Sequence, residues 1–221
     1  MLKPKYKLLI FDLDGTVLDT LCDLTSSMNF ALHTMEYPER SIEEIRSFVG
    51  NGVRNLAKRA LPEEASERLV DEALSIFKKH YAEHINDFTK PYDGIKELLS
   101  YAKKAGCYLA VISNKIDSAT NILVKSHFGD IFDVVFGERE GVPRKPSPQS
   151  VFEVIEALSC KPCETTYIGD SEIDIQTANN AGIDCISVCW GFKSRDFLEE
   201  NGASLIAESA DELLDALFTR N

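Results

Sequence analysis

The chain has 221 residues, 44% of them hydrophobic and 27% charged, and its 36 acidic and 24 basic residues give a net charge of −12. Such a composition is typical of a globular protein with a sizeable core. The negative charge argues against a nucleic-acid backbone or an anionic membrane as partner. No stretch approaches the roughly 20 apolar residues of a membrane span, and no signal peptide or cleavage site is recognisable, so we expect a cytoplasmic protein.

The first predicted element is a buried strand at residues 8–11, and it stops at two carboxylates, Asp12 and Asp14, followed by Gly15. Residues two apart in an extended segment point to the same side, so the two carboxylates should face one space. Two anions held that close repel each other unless a cation lies nearby, and a bound divalent cation would explain them. A solvated acidic turn is the alternative, because Asp-Gly is also a common turn dipeptide.

Residues 19–88 show helical periodicity and no strand-like run. This stretch of roughly 70 residues is predicted to be a separate small domain, and residues 1–18 and 89–221 are predicted to form the other domain. Within it, Ser41 and Glu44 have the spacing of a helix capping box. A glycine-flanked turn at residues 48–54 carries Arg54, which could bind a carboxylate or a second phosphate of a ligand. The alternative is a surface arginine at a helix start.

From Gly94 onward, predicted strands and helices alternate. Strands are expected at residues 107–112, from about 134 to an end at Phe136-Gly137, at 166–169, at 185–189 and near 205–206. Helices are expected at residues 95–105, 117–127, 148–158, 173–181 and 211–218, the third with Ser147 as N-cap and Pro148 in the first helical position. This alternation predicts an α/β fold, a Rossmann-like parallel sheet with helices on both faces, with the small α-helical domain inserted after the first strand.

Polar residues follow several of these strands, and in such folds ligands bind at the carboxyl ends of the strands. They are Asp12, Asp14, Ser113, Asn114, Asp170, Ser171 and Asp174, together with Lys145 in a proline-rich loop. Each has an ordinary structural explanation: Ser113-Asn114 could be a turn, Lys145 a solvated lysine, and Ser171 with Asp174 a helix cap. Together they supply a nucleophile, a metal site, a cation and hydrogen-bond donors, which phosphoryl transfer requires.

In order and spacing, these motifs resemble the four motifs of the haloacid dehalogenase-like superfamily. They are Asp12-Leu-Asp14-Gly-Thr16, Ser113-Asn114, Lys145 in Lys-Pro-Ser-Pro, and Gly169-Asp170-x-x-x-Asp174. The helical insert lies where that superfamily places its small α-helical cap. Within the superfamily the chain looks most like the phosphoglycolate phosphatase group. The segments that agree are Pro91-Tyr-Asp-Gly94, Asn114-Lys115, Lys145-Pro-Ser-Pro148 and the end of the fourth motif with Gly182.

The resemblance implies the reaction and its catalytic residues, Asp12, Asp14 and Lys145. Asp12 would attack phosphorus and form an aspartyl-phosphate, and Asp14 would protonate the leaving oxygen and then activate the hydrolytic water. Lys145 would neutralise charge on Asp12 and the phosphoryl group. The presence of the second aspartate favours phosphate-ester chemistry, because superfamily members that act on haloacids or phosphonates lack it.

The resemblance also implies a Mg²⁺ ion held by Asp12, Asp14, Asp170 and Asp174. Asp14 would contribute its main-chain carbonyl, and Asp174 would orient a metal-bound water or Lys145. The substrate would be bound by Ser113, by main-chain N–H groups near Asn114, by Thr16, which is expected mainly to fix its turn, and by Arg54 of the cap.

The function expected from the sequence is therefore Mg²⁺-dependent hydrolysis of a small phosphate monoester, with phosphoglycolate favoured. A sugar phosphomutase of the same superfamily, a pyrophosphatase or nucleotidase, and a non-catalytic binding protein are the alternatives. The only expected partner is the small-molecule phosphate ester, with neither nucleic acid nor membrane. The sequence does not distinguish a monomer from a homodimer.

Overall fold

The computed structural model describes residues 3–50 and 52–219, which form two compact units. The core unit contains the described residues up to Leu18 and from Pro91 onward, and the helical unit spans Asp19–Lys90. Among the described residues, no helix is both long enough and apolar enough to cross a membrane.

The secondary-structure elements are numbered in chain order. The strands are β1 (Lys3–Pro4), β2 (Leu8–Phe11), β3 (Leu18–Asp19), β4 (Lys90–Pro91), β5 (Tyr108–Ile116), β6 (Val134–Glu138), β7 (Thr165–Gly169), β8 (Asp184–Val188), β9 (Ile206–Ala207) and β10 (Phe218–Thr219). The helices are α1 (Leu21–Thr34), α2 (Ile42–Phe48), α3 (Val53–Ala60), α4 (Glu67–Glu83), α5 (Ile95–Lys104), α6 (Asp117–Phe128), α7 (Gln149–Ala157), α8 (Glu172–Ala181), α9 (Arg195–Glu200) and α10 (Ala210–Leu217).

The core unit is built on a six-stranded parallel sheet with the strand order β6-β5-β2-β7-β8-β9. Strand β2 lies at its centre, and its apolar side chains are buried because both of its edges are paired. After β2 the chain adds strands on one side and then on the other, so the order reverses beside β2. Such a reversal opens a crevice at the carboxyl ends of the strands. The α/β fold class predicted from the sequence is confirmed.

Side chains alternate between the two faces of the sheet along each strand, so different residues of β2 pack on each face. On one face, Leu8 and Ile10 pack with residues of α7 and α8 in a buried apolar cluster. Phe11 points to the other face, where its ring makes an edge-to-face contact with Phe132 at 6.2 Å between centroids. Packing on both faces holds β2, and therefore the residues that follow it, in a fixed position.

Two of the differences from the predicted element boundaries concern the end of β5 and the start of α7. Strand β5 continues to Ile116, with a change of register against β6 between Ile112 and Ile116, so Ser113 and Asn114 lie within the irregular end of a strand. Helix α7 begins at Gln149 and has Pro148 as its N-cap residue, one position later than predicted. The Ser147 hydroxyl instead accepts a hydrogen bond of 3.4 Å from the Gln149 N–H, in a local turn that precedes the helix.

The helical unit contains α1 to α4, and α2 begins with the capping box predicted for Ser41 and Glu44. The buried apolar side chains of this unit include Met28, Leu32, Ile45, Leu56 and Phe77. The connecting segments β3 and β4 pair with each other in a two-stranded sheet.

Asp23 is the most heavily bonded buried acid of the helical unit. Its side chain, on a residue 1% exposed, accepts hydrogen bonds from the N–H groups of Phe88 and Thr89 and from the Thr89 hydroxyl, the last at 2.7 Å. These contacts join the start of α1 to the segment that leads out of the unit. Thr89 is buried, so its N–H depends on this carboxylate, whereas its hydroxyl also reaches the Ile85 carbonyl at 3.3 Å.

We predict that Asp23→Ala destabilises the protein by about 1–3 kcal/mol, since it leaves the buried N–H of Thr89 and the partly buried N–H of Phe88 without their acceptor. The measurement is urea unfolding monitored by circular dichroism. Glu72→Ala, at an exposed position of α4, is the control and should stay within about 0.5 kcal/mol of the parent. Equal unfolding curves for the two variants would contradict this account of Asp23.

Candidate active site

The candidate site lies at the carboxyl ends of β2, β5 and β7, the three neighbouring strands at the centre of the sheet. Asp12 directly follows β2, Asp170 directly follows β7, and Ser113 lies near the end of β5. Lys145 comes from the loop between β6 and α7, and Asp174 from the first turn of α8. The structure thus brings together residues that are far apart in the sequence, as expected for the crevice of a doubly wound sheet.

The two oxygens of the Asp12 carboxylate have different surroundings. Oδ1 accepts a 2.7 Å hydrogen bond from the Leu13 N–H and lies 2.9 Å from the Lys145 ammonium. Oδ2 accepts no hydrogen bond from any residue that the structure describes. Burial raises the pKa of Asp12 to about 7, and the charge of Lys145 offsets part of that rise. Oδ2 is therefore the oxygen with lone pairs free to react or to bind a cation.

Lys145 is 4% exposed, and its ammonium lies between two carboxylates, 2.9 Å from Asp12 and 2.7 Å from Asp174. Burial by itself lowers the pKa of a lysine, but the charges of Asp12 and Asp174 outweigh burial and keep the pKa of Lys145 well above its usual value. Its catalytic role stays a prediction, but Lys145 is buried and so is not the solvated loop lysine considered as the alternative.

Asp174 serves as a helix cap and as a partner of Lys145 at once. Its Oδ2 accepts hydrogen bonds from the Ser171 N–H at 3.1 Å and the Ser171 hydroxyl at 2.7 Å, which completes the capping box of α8. Its Oδ1 accepts the 2.7 Å bond from the Lys145 ammonium. The two explanations considered for Asp174 are therefore compatible, since each uses a different oxygen.

Asp170 is 2% exposed and has few donors around it. Its Oδ2 accepts a 2.8 Å hydrogen bond from the Phe192 N–H, and its Oδ1 a longer one of 3.4 Å from the Thr16 hydroxyl. Burial, and then the charges of Asp174 and Asp12, raise the pKa of Asp170 well above its ordinary value. A buried carboxylate so poorly compensated needs a positive partner.

The carboxylates of Asp12, Asp170 and Asp174 meet closely enough to hold one metal ion, with a ligand oxygen of each within 4.8 Å of the others. Against these three anions the cluster has one ammonium, that of Lys145. A divalent cation would balance the excess negative charge, and carboxylate oxygens are the ligands that hard divalent cations prefer. The residues present therefore fit a metal site, and the Asp14 carboxylate lies outside this group.

Asp14 faces a lysine that the sequence did not single out as functional. The Lys115 ammonium lies 2.7 Å and 2.8 Å from the two oxygens of the Asp14 carboxylate, and both side chains are largely buried. Lys115 directly follows Ser113-Asn114 at the irregular end of β5. This adjacency to the second motif is the signal in the sequence by which Lys115 could have been assigned to the site.

Three of the four residues expected to bind substrate lie in the core unit. The Ser113 hydroxyl accepts a 3.2 Å hydrogen bond from the Lys115 N–H, and the Thr16 hydroxyl donates to Asp170. The Asn114 amide is bonded on both sides to the backbone of Lys145. Thr16 also accepts, through its carbonyl, a 3.0 Å bond from the indole of Trp190.

Arg54, the fourth, lies in the helical unit at the start of α3. Its exposed guanidinium is paired with Glu67 at 2.6 Å and with Asp71. Hydrogen bonds to these carboxylates raise the pKa of Arg54 above its ordinary value. Contact with a substrate stays a prediction for this residue, and binding an anion would require it to exchange at least one of these partners.

A family model for haloacid dehalogenase-like hydrolases matches residues 9–188. The chain is 34% identical over 207 residues to a phosphoglycolate phosphatase of Pseudomonas syringae pv. tomato, covering 90% of this chain and 76% of that protein. It is 30% identical over 224 residues to a phosphoglycolate phosphatase of Vibrio parahaemolyticus, covering 98% of each. The crystal structure of a candidate phosphoglycolate phosphatase from Lactobacillus delbrueckii subsp. bulgaricus is 38% identical with a TM-score of 0.94, covering 98% of this chain and 100% of that one.

We predict that Gly15→Ala weakens divalent-cation binding by about 10- to 100-fold, the range typical when the surroundings of a metal ligand are disturbed. A Cβ at Gly15 would lie 2.3 Å from Oδ2 of Asp170, so this carboxylate would have to move. The measurement is titration calorimetry with Mn²⁺. Gly106→Ala is the matched control, because Gly106 has a similar φ of 88° against 82° for Gly15 but open space around its Cβ position. If both variants lost the same affinity for Mn²⁺, the effect would come from backbone strain and not from a displaced Asp170.

The raised pKa of Asp12 leads to a second prediction, for the metal-free protein. With a pKa of about 7 when folded and 3.8 as the ordinary value, Asp12 binds a proton more tightly in the folded state, so its contribution to stability decreases as the pH rises through this interval. Asp12→Asn removes this loss. In EDTA, we expect the Tm of Asp12→Asn minus the Tm of the parent to increase as the pH rises from about 4 to about 7. A Tm difference that does not change with pH, measured by differential scanning fluorimetry, would contradict this assignment.

Proposed function

This chain belongs to the haloacid dehalogenase-like hydrolases and is a phosphatase of that family, and on that basis we propose that it is a Mg²⁺-dependent phosphoglycolate phosphatase acting through an aspartyl-phosphate on Asp12. The resemblance found in the sequence is confirmed at the level of the family. The observation that carries the proposal is the asymmetry of Asp12, whose Oδ1 is held by Lys145 and Leu13 while Oδ2 accepts no hydrogen bond within the described chain.

In the first step, Asp12 Oδ2 attacks phosphorus as the bond from phosphorus to the leaving oxygen breaks, and Asp14 gives that oxygen its proton. In the second step, water attacks the phosphorus of the aspartyl-phosphate, Asp14 takes the proton from that water, and Asp12 leaves as a carboxylate. Asp14 enters the first step as the carboxylic acid and the second as the carboxylate, and in the carboxylate form the Lys115 ammonium holds it through both oxygens. A fixed carboxylate suits a group that must donate and accept a proton at one position.

Asp12, Asp170 and the main-chain carbonyl of Asp14 would hold Mg²⁺, with Asp174 orienting a bound water or Lys145. When bound, Mg²⁺ supplies positive charge close to the anionic phosphoryl group. Lys145, which touches Asp12 Oδ1, lowers the repulsion between this carboxylate and an approaching phosphate. Ser113, which has a hydroxyl hydrogen to donate, and main-chain N–H groups near Asn114 would bind the transferring oxygens.

Two observations support phosphoglycolate as the substrate. Proteins named phosphoglycolate phosphatases are 34% and 30% identical to this chain over nearly its whole length. In addition, residues 19–88, which we propose as the cap domain against a core of residues 1–18 and 89–221, contain Arg54, a cation suited to the carboxylate of a small phosphate ester. A cap that excludes bulk water would also protect the aspartyl-phosphate from unassisted hydrolysis.

The test is a panel of phosphate esters assayed for released phosphate with Mg²⁺ and with EDTA. We expect kcat/KM to be highest for phosphoglycolate among phosphoglycolate, pyrophosphate, nucleotides and a hexose 1-phosphate, and activity to disappear in EDTA. Asp12→Asn should lower kcat by at least about 10³-fold, since the nucleophile is lost, and Asp14→Asn by about 10²- to 10⁴-fold, the usual range for an acid–base residue.

Asp93→Asn is the matched control for these variants, because Asp93 is an exposed acid of the core unit with no role in the proposed chemistry. Full activity of Asp12→Asn would exclude the covalent route. Conversion of the hexose 1-phosphate to another hexose phosphate without release of phosphate would identify a mutase instead.

A further inference from the structure

The loop that carries Lys145, residues 143–148, is attached to the rest of the core unit by two asparagine side chains. From β5, Asn114 accepts a 2.9 Å hydrogen bond from the Lys145 N–H and donates a 3.0 Å bond to the Lys145 carbonyl. From α8, Asn180 donates a 2.9 Å bond to the carbonyl of Pro146. The loop is therefore bonded from two elements at adjacent residues, next to the lysine itself.

Other elements make few bonds to this loop. Apart from helix α7, which directly follows the loop, two side chains of the described ranges 3–50 and 52–219 make hydrogen bonds to the loop backbone. They are those of Asn114 and Asn180. The loop has its own turn, closed by a 3.0 Å bond from the Ser147 N–H to the Arg144 carbonyl, but this bond does not tie the loop to the sheet. The position of the Lys145 backbone thus depends on the two asparagines.

The chemistry of Asn114 suits this task because a carboxamide can accept and donate at the same time. Its Oδ1 and Nδ2 pair with the N–H and C=O of Lys145, which fixes the position and the orientation of the backbone at that residue. An aspartate could only accept, and a serine is too short to reach both groups. One of the two Nδ2 hydrogens is used in this way.

We propose that Asn114 and Asn180 are positioning residues of the phosphatase, which together hold the Lys145 loop so that the Lys145 ammonium stays between Asp12 and Asp174. The proposal rests on the role of Lys145 given above. Lys145 is buried and contacts two carboxylates, so a shift of its backbone would weaken its contact with Asp12 where charge changes during the reaction. Small displacements of a catalytic charge have large effects on rate.

The test is steady-state kinetics with p-nitrophenyl phosphate, a generic phosphate ester, so that the result does not depend on phosphoglycolate being the substrate. We expect Asn114→Ala to lower kcat by about 10²-fold and Asn180→Ala, whose bond is exposed, by about 3- to 10-fold, each with little change in KM. Asn179→Ala is the matched control, since Asn179 is also exposed on α8 but its side chain has no hydrogen bond to any described residue. Its kcat should equal that of the parent.

A double-variant comparison separates positioning from a general structural effect. In a Lys145→Met background, we expect Asn180→Ala and Asn114→Ala to cause no further decrease in kcat, because each acts through the lysine. The proposal would be overturned if the asparagine variants lowered kcat by the same factor in the parent and in the Lys145→Met background. It would also be overturned if they raised KM and left kcat unchanged. Failure of the proposed function is distinguishable, because Lys145→Met and Asp12→Asn would then hydrolyse the ester as fast as the parent. Tm values identify any variant that is poorly folded, and the exposed Asn180 provides a test that does not depend on Asn114→Ala folding.

Discussion

The repulsion among three buried carboxylates is the constraint around which the site is arranged. Asp12, Asp170 and Asp174 meet at the carboxyl ends of the central strands, where Asp170 and Asp174 are buried, Asp12 is partly buried, and little water screens their charges. Lys145 neutralises part of this charge from inside the cluster, while burial first and the neighbouring carboxylates second raise the pKa of Asp12 and of Asp170. This repulsion favours the binding of a cation and lowers the stability of the protein when no cation is bound. Such a balance is common at functional sites.

Charge and packing act together around these carboxylates. Glycines lie where the backbone approaches them most closely: a Cβ at Gly191 would lie 2.5 Å from Asp170, and one at Gly169 would lie 2.3 Å from Asp174. The carboxylates of Asp170 and Asp174 occupy the space that a side chain at Gly191 or Gly169 would need. Their positions are therefore set by the backbone as well as by hydrogen bonds, which limits how far the repulsion can separate them.

The sequence was sufficient to predict the fold class and the strand ends at which the polar residues lie, because hydrophobic periodicity and turn residues are local properties. It was not sufficient to predict pairings between distant residues. Nothing local indicates that Lys115 bonds Asp14, or that Asn114 bonds the backbone of Lys145 rather than a ligand. The error at α7 has a local cause, since Ser147 can cap a helix or close a turn, and only the surrounding loop decides between the two.

The pairing of β3 with β4 brings the two ends of the helical unit side by side. An insertion whose ends already lie together imposes little loop-closure entropy on the chain that receives it and need not disturb the sheet. The helical unit between these strands can then vary in length and sequence while the carboxylate cluster of the core unit stays in place. Changes of sequence within the helical unit can therefore occur without moving the strand ends that carry Asp12 and Asp170.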